Sequence, residues 1–150
     1  MTGDLRSVRR AGGTGMRTRL SVCIITLNER ANIERCLSSL RPMPAEIELC
    51  EIVVVDAESS DGTAEIACDL GAQVYTRAWS GYGAQRNFGL ARCHGDWILV
   101  LDADEEVTPA LLAEIGTVLD QAPPTVGGFR ILIRNFFLGK WIRHCVWWPI

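Results

Sequence analysis

Residues 51–71 read EIVVVDAESSDGTAEIACDLG and contain a complete strand–loop–helix unit. Four consecutive β-branched residues within 51–56 predict a buried strand that ends at Asp56. The polar segment 57–62 predicts a loop, and 63–70 predicts a short helix that Gly71 ends. A strand that passes through a short loop into a helix is the building block of α/β folds.

The same alternation extends along the rest of the chain. Further strands are predicted from apolar runs at 20–26, 73–76 and 97–101, and a half-exposed strand from the alternation at 129–134. Helices are predicted to begin at Asn32, a candidate N-cap, at Gly83, and at the Thr108-Pro109 pair. Strands that alternate with helices predict a single α/β domain with a mostly parallel sheet.

Composition and charge narrow the class of protein. The chain has 150 residues, 48% of them hydrophobic, and a net charge of -3, which argues against a nucleic-acid partner. Residues 1–19 carry five arginines, several glycines and no apolar core of a signal peptide, so a disordered basic leader is expected before a domain at 20–150. No apolar run approaches the roughly 18 residues of a membrane span.

The six cysteines give no C-x-x-C pair, so neither a zinc site nor a redox motif is indicated. Without a signal peptide, the expected location is the cytoplasm, where thiols stay reduced. Most of the six are therefore expected to fill the core.

Polar residues follow three of the predicted strands where those strands end. The first runs into Thr26, Asn28 and Glu29, the second ends at Asp56, and the fourth leads into Asp102. Ligands of open α/β sheets bind beyond the carboxyl ends of the strands, so these side chains are expected at one edge. An aspartate at a strand end also serves as a helix cap or turn residue, and for Asp56 that interpretation stays open.

The fourth strand leads into a cluster of four acids, Asp102, Asp104, Glu105 and Glu106. Two carboxylates separated by one small residue can both reach one hard cation. Their mutual repulsion favours either a bound cation or a solvated loop, and both interpretations stay open. A divalent ion would suit a diphosphate, and Arg86, on the preceding helix, can contact phosphate at the same edge or remain a surface arginine.

Other phosphate-binding classes fit the sequence less well. There is no G-x-x-x-x-G-K-[ST] loop, and no G-x-G-x-x-G follows the first strand, which disfavours P-loop and dinucleotide-binding proteins. A haloacid dehalogenase-type phosphatase would need its D-x-D-x-[TV] motif after the first strand, whereas the pair here follows the fourth.

Four ordered segments resemble the family 2 glycosyltransferases, and most closely the branch of the lipopolysaccharide core β-glucosyltransferases. They are SVCIITLNERANIERCLSSL (21–40), EIVVVDAESSDGTAEIA (51–67), GYGAQRNFGLARCHGDWILVLDADEEV (81–107) and FFLGKWIRH (136–144). The resemblance implies the GT-A fold, a Rossmann-like domain that binds a nucleotide sugar with Mg²⁺ or Mn²⁺.

The resemblance also implies roles for individual residues. Thr26, Asn28 and Glu29 would line the nucleotide pocket. Asp56 would hydrogen-bond the base, commonly uracil, and Arg86 would lie near the nucleotide. One departure from the family is Glu58, where a small residue or glycine is usual.

In the acidic loop, Asp102 would contact the ribose or the metal, and Asp104 would hold the metal on the diphosphate. The expected reaction is inverting transfer of a hexose from a nucleotide sugar, typically a UDP-sugar, to a lipid- or polysaccharide-linked acceptor such as lipopolysaccharide core. The family's general base comes from a later segment, so it is expected beyond Ile150, in a chain truncated at its C-terminus. The alternatives are a non-catalytic nucleotide-sugar-binding fragment and a nucleotidyltransferase of similar fold.

The C-terminal stretch is aromatic and basic. Six of the eleven aromatic residues lie between Phe129 and Trp148, interleaved with basic residues and no acid. This pattern suits peripheral contact with the inner face of an anionic cytoplasmic membrane, or packing against a further part of the protein.

Overall fold

The computed structural model describes residues 17–142, which form an α/β domain around a parallel four-stranded sheet. The strand order is β3-β2-β1-β4, and all three pairings are parallel. The strands are β1 (Thr18–Thr26), β2 (Ile47–Asp56), β3 (Gln73–Thr76) and β4 (Trp97–Asp102). This arrangement confirms the fold class that the alternating pattern predicts.

A helix follows each strand. The helices are α1 (Ile33–Ser38), α2 (Thr63–Asp69), α3 (Tyr82–Leu90) and α4 (Pro109–Gln121). Thr108 caps α4 by accepting a hydrogen bond from Leu111 N, as its position before Pro109 predicts. Asn32 occupies the N-cap position of α1, but its side chain makes no capping bond there.

Helices cover both faces of the sheet. The larger core contains Val22, Ile24 and Val54 of the strands, together with apolar residues of α1, α2 and α4. On the opposite face α3 packs closely, because a Cβ at Gly89 would lie 2.5 Å from Cys23 Sγ. The sheet is thus buried from both sides, which explains why its central strands are nearly continuous apolar runs.

Two expectations at the ends of the domain need correction. β1 begins at Thr18, so Thr18 and Arg19 belong to the sheet rather than to the leader; residues 1–16 lie outside the described part. The strand predicted at 129–134 is wrong, since these residues have no regular secondary structure. Alternation alone does not supply a hydrogen-bonding partner, and Phe129 instead packs against Trp97 with ring centroids 5.4 Å apart. A short antiparallel hairpin follows, made of β5 (Asn135–Phe137) and β6 (Lys140–Ile142).

The prediction for the cysteines holds only in part. Cys23 and Cys36 are buried and free, whereas Cys68 is exposed on α2, and Cys145 lies outside the described residues. Between residues 17 and 142, none of the helices has the length and apolar character needed to cross a bilayer.

Candidate functional site

The carboxyl ends of β1, β2 and β4 meet at one edge of the sheet. Thr26 lies opposite Asp56 in the β1–β2 register, and Ile25 lies opposite Asp102 in the β1–β4 register. Adjacent strands are about 4.8 Å apart, so the three strand ends form one continuous polar edge. The sequence-based expectation that these residues share an edge is met by the parallel pairing.

Asp56 is buried at the centre of this edge, with 1% of its surface exposed. Its Oδ1 accepts hydrogen bonds from Thr26 Oγ1 at 2.8 Å and from Ser59 Oγ at 2.6 Å. Its Oδ2 accepts one from Ser59 N at 2.8 Å, and each carboxylate oxygen accepts two, so Oδ2 keeps capacity for one more donor. The sequence analysis missed Ser59, although aspartate and serine are both common turn residues that hydrogen-bond nearby backbone.

The loop after β1 is joined to the loop after β2 by further hydrogen bonds. Asn28, with φ 56°, donates from N to Ser59 Oγ at 2.8 Å, and its Oδ1 accepts from Ser60 N at 3.0 Å. Glu29 N donates to Thr63 Oγ1 at 2.9 Å. Asn28 and Glu29 thus lie beside Asp56, and these hydrogen bonds hold the two loops together.

A second contact closes the same pair of loops. Arg30 N donates to Asp61 Oδ2 at 3.0 Å, and Arg30 Nη1 donates to Asp61 O at 2.8 Å. Hydrogen bonds from Thr63 and Arg30 hold the pKa of Asp61 below its usual value. Gly62 suits this turn because its φ is 92°, a conformation that L side chains rarely adopt. Arg30 and Asp61 were not anticipated from the sequence.

Arg86 reaches the same edge from α3. Its Nη2 lies 2.5 Å from Asp102 Oδ1, and the two side chains are 38% and 47% exposed. The Arg86 Nε atom is buried and has no partner among the described residues. The pair places one fixed positive charge beside the acidic loop while leaving part of both groups open to solvent.

The four acids after β4 have different surroundings. Glu105 Oε2 accepts from Asp102 N at 2.9 Å, and burial, aided by the neighbouring carboxylates, raises the pKa of Glu105. Glu106 forms an ion pair with Arg35 Nε at 3.1 Å. Glu105 therefore holds the turn, and the exposed Glu106 is engaged by Arg35. Asp104 is exposed, and Asp102, whose side chain is 47% exposed, faces Arg86.

The donor set at this loop suits a hard divalent ion that arrives with a diphosphate. Within residues 17–142, no three His, Cys, Asp or Glu side chains are arranged to hold a metal by themselves. Asp102 and Asp104 offer carboxylate oxygens, and Mg²⁺-type sites often use one or two carboxylates completed by phosphate oxygens and water. The residues present thus fit an ion shared with a ligand better than a closed structural site.

Comparison with known proteins is consistent with this geometry. The chain is 44% identical over 97 residues to an uncharacterised glycosyltransferase of Rickettsia bellii, covering 65% of this chain and 31% of that protein. It is 36% identical over 126 residues to the lipopolysaccharide core biosynthesis glycosyltransferase LpsC of Rhizobium meliloti, covering 80% of this chain and 44% of that protein. The chain therefore spans less than half the length of both of these relatives.

Two solved structures share the fold. TarS of S. aureus in complex with UDP-GlcNAc gives a TM-score of 0.60 at 28% identity, over 69% of this chain and 32% of that one. The mannosyltransferase PcManGT of Pyrobaculum calidifontis, in complex with GDP-Man and Mn²⁺, gives a TM-score of 0.60 at 28% identity, over 81% and 36%. The family model for glycosyl transferase family 2 matches residues 21–150, and the chain belongs to that family.

Proposed function

We propose that residues 20–150 are the nucleotide-sugar-binding part of an inverting hexosyltransferase whose donor is a UDP-sugar. The observation that carries the proposal is the convergence of Thr26, Asp56, Arg86 and Asp102 at one sheet edge in a chain of this family. The donor class is supported by the UDP-GlcNAc complex of TarS. PcManGT is in complex with a GDP-sugar, so the two structures differ in their base, and the preference for uracil is part of what we propose.

Each polar group has a place in this scheme. Thr26, Asn28 and Glu29 line the nucleotide pocket, and the free capacity of Asp56 Oδ2 accepts a donor from the base. Asp102 contacts the ribose or the ion, and Arg86 contributes positive charge beside the diphosphate. Fixed charges that face the leaving group stabilise it as negative charge develops in the transition state.

Asp102 and Asp104 would hold a Mg²⁺ or Mn²⁺ ion on the donor diphosphate. When bound, the ion neutralises phosphate charge and favours departure of the nucleoside diphosphate. The Mn²⁺ in the PcManGT complex supports a divalent ion and leaves the choice of metal to experiment.

The acceptor we propose is lipid- or polysaccharide-linked, such as lipopolysaccharide core, on the strength of the similarity to LpsC. The β5–β6 hairpin exposes Phe136, Phe137 and Leu138 to between 65% and 87%. Residues 121–150 contain no acid, and the exposed Lys140 adds positive charge to the hairpin. Aromatic and basic side chains together suit the headgroup layer of the inner face of the cytoplasmic membrane.

The membrane contact is tested with the full-length protein and liposomes of graded anionic content. Binding that rises with anionic lipid and weakens in Lys140→Gln is expected. Absence of lipid binding would leave packing against a further part of the protein as the explanation of the hairpin.

Residues 121–150 contain no acid, and the chain covers 31% and 44% of the two relatives, so we propose that the general base that activates the acceptor hydroxyl lies outside the region shared with them here. The chain tested alone is then expected to bind donor without transferring its sugar. That outcome would also describe the second candidate, a non-catalytic nucleotide-sugar-binding fragment. Transfer of labelled sugar by a longer form of the protein would identify a hexosyltransferase, and its absence would favour the non-catalytic fragment. A nucleotidyltransferase is the remaining alternative, and release of pyrophosphate from a nucleoside triphosphate would identify it.

Calorimetry of UDP-sugar binding with Mn²⁺, with Mg²⁺ and with chelator tests the proposal directly. We expect binding that chelator weakens strongly and that Asp104→Asn weakens to the same extent. Glu106→Gln is the matched control, because it removes one charge from the same loop at a residue paired with Arg35. Equal affinity with and without metal in the unmodified protein would refute the role of the ion.

A further inference from the structure

Two aromatic side chains stand open to solvent where β3 leads into α3. Trp79 is 44% exposed and Tyr82 is 70% exposed. Their rings meet edge to face, with centroids 4.8 Å apart and planes at 89°. Each ring thus restrains the other while retaining a free surface, which makes the pair a preformed aromatic wall.

The loop that carries these rings is tied to the candidate site. Arg77 N donates to Asp56 O at 3.0 Å, so the loop begins at the buried aspartate itself. The Arg77 guanidinium then donates to Ser80 Oγ at 2.9 Å and to Ala84 O at 3.4 Å. Gln85, fully buried on α3, donates from Nε2 to Arg77 O at 3.4 Å. These bonds fix the loop beside Asp56.

The strand order determines which end of a bound nucleotide meets this loop. β3 pairs with β2, and two further strands bring the sheet to β4 and its acidic loop. Three spacings of about 4.8 Å separate β3 from β4, or roughly 14 Å across the sheet. In the proposed donor site the phosphates lie at Asp102 and Asp104 and the base bonds Asp56 at the end of β2, so the nucleotide extends from β4 toward β2, the neighbour of β3.

We propose that Trp79 and Tyr82 form a wall against which the nucleobase of the donor stacks. The inference rests on the proposed function and adds to it the residues that hold the base. Stacking against an aromatic ring suits any base, because every base has a π-face, so the wall supplies affinity while hydrogen bonds at Asp56 supply selectivity. Arg77 and Gln85 are positioning residues that act through the loop.

The test compares ligands that contain the base with one that does not. Binding of UDP and of inorganic pyrophosphate, both with Mn²⁺, is measured by calorimetry on the full-length protein and on Trp79→Ala and Tyr82→Ala. We expect each variant to bind UDP about tenfold more weakly, the typical effect of losing one stacked ring, and to bind pyrophosphate as the unmodified protein does. Trp79→Phe and Tyr82→Phe keep a ring and should retain most of the UDP affinity.

The outcomes separate this inference from the proposed function. Unchanged UDP affinity in both alanine variants, or an equal loss for UDP and pyrophosphate, overturns the aromatic wall and leaves the donor site intact. If the unmodified protein did not bind UDP at all, the proposed function itself would be refuted. Tyr82 is so exposed that Tyr82→Ala is expected to fold, and its melting temperature checks this.

Discussion

Arg86 and Asp102 form an ion pair that joins α3 to the end of β4, with Nη2 and Oδ1 2.5 Å apart. The two residues are 16 positions apart in the chain, and neither is buried. A partly exposed ion pair contributes little to stability, on the order of 0–1 kcal/mol. In the proposed donor site, the main role of this pair is therefore in binding rather than in folding.

The first prediction concerns Arg86→Met. We expect nucleotide affinity to fall about tenfold or more, since a charge-assisted hydrogen bond contributes roughly 1.5–3 kcal/mol. The free energy of unfolding should change by no more than about 1 kcal/mol. Arg35→Met is the matched control, because it breaks the ion pair between Arg35 and Glu106. The side chain of Arg35 is 59% exposed and that of Glu106 is 54% exposed. Equal nucleotide affinity in the two variants, measured by calorimetry, would contradict a binding role for Arg86.

The second prediction concerns the buried hydrogen bond between Thr26 and Asp56. Thr26→Val keeps the shape of the side chain and removes the donor to Asp56 Oδ1. We expect the free energy of unfolding to fall by about 1–3 kcal/mol, the usual penalty for a buried polar group that loses a partner. The measurement is urea denaturation, with Thr117→Val as control on the exposed face of α4. A similar loss of unfolding free energy in the two variants would show that the hydrogen bond to Asp56 contributes no more to stability than an exposed one.

The third prediction concerns the tight packing at Gly95. A Cβ there would lie 2.6 Å from Ser21 N and 2.9 Å from Arg19 O, both backbone atoms of β1. Gly95→Ala should therefore force β1 and the α3–β4 connection apart, with a cost of about 1–3 kcal/mol. Gly128→Ala is the control, since its Cβ would meet nothing within 4 Å. Thermal unfolding that is equally affected by both substitutions would argue against this close approach.

The fourth prediction concerns the pH dependence of stability at Glu51. Burial by itself would raise the pKa of Glu51, but hydrogen bonds from His94 N and Ser21 Oγ, with the nearby His94 ring, hold it below the usual value. The folded protein then holds this proton less tightly than the unfolded chain. The stabilisation is present above the unfolded-state pKa and is lost as pH falls through the folded value.

Urea denaturation between about pH 3 and 7 tests this, since the ordinary pKa of glutamate is about 4.3. The stability difference between the unmodified protein and Glu51→Gln should shrink as the pH is lowered. Glu34→Gln, on the first turn of α1, is the control because it removes an exposed carboxylate outside this hydrogen-bond network. A Glu51→Gln difference that is independent of pH would rule out the role of this carboxylate.

Much of the fold could be predicted from the local pattern of apolar residues. The apolar runs before Asp56 and Asp102 predict strands because such runs suit a sheet buried on both faces, and both strands end where the pattern stops. Parallel pairing is then expected because the strands alternate with helices. The sequence therefore sufficed to place Thr26, Asp56 and Asp102 at one edge of the sheet.

The partners of these residues were decided only by the tertiary structure. Ser59 donates two hydrogen bonds to the Asp56 carboxylate, and Arg86 reaches from α3 to Asp102. The alternation at 129–134 gave a wrong strand for the same reason, because a strand exists only where another backbone meets it. The periodicity of apolar residues indicates which positions of an element are buried, and this is a local property. Which donor meets which acceptor depends on the relative placement of elements that are distant in the chain, and packing of the whole domain sets that placement.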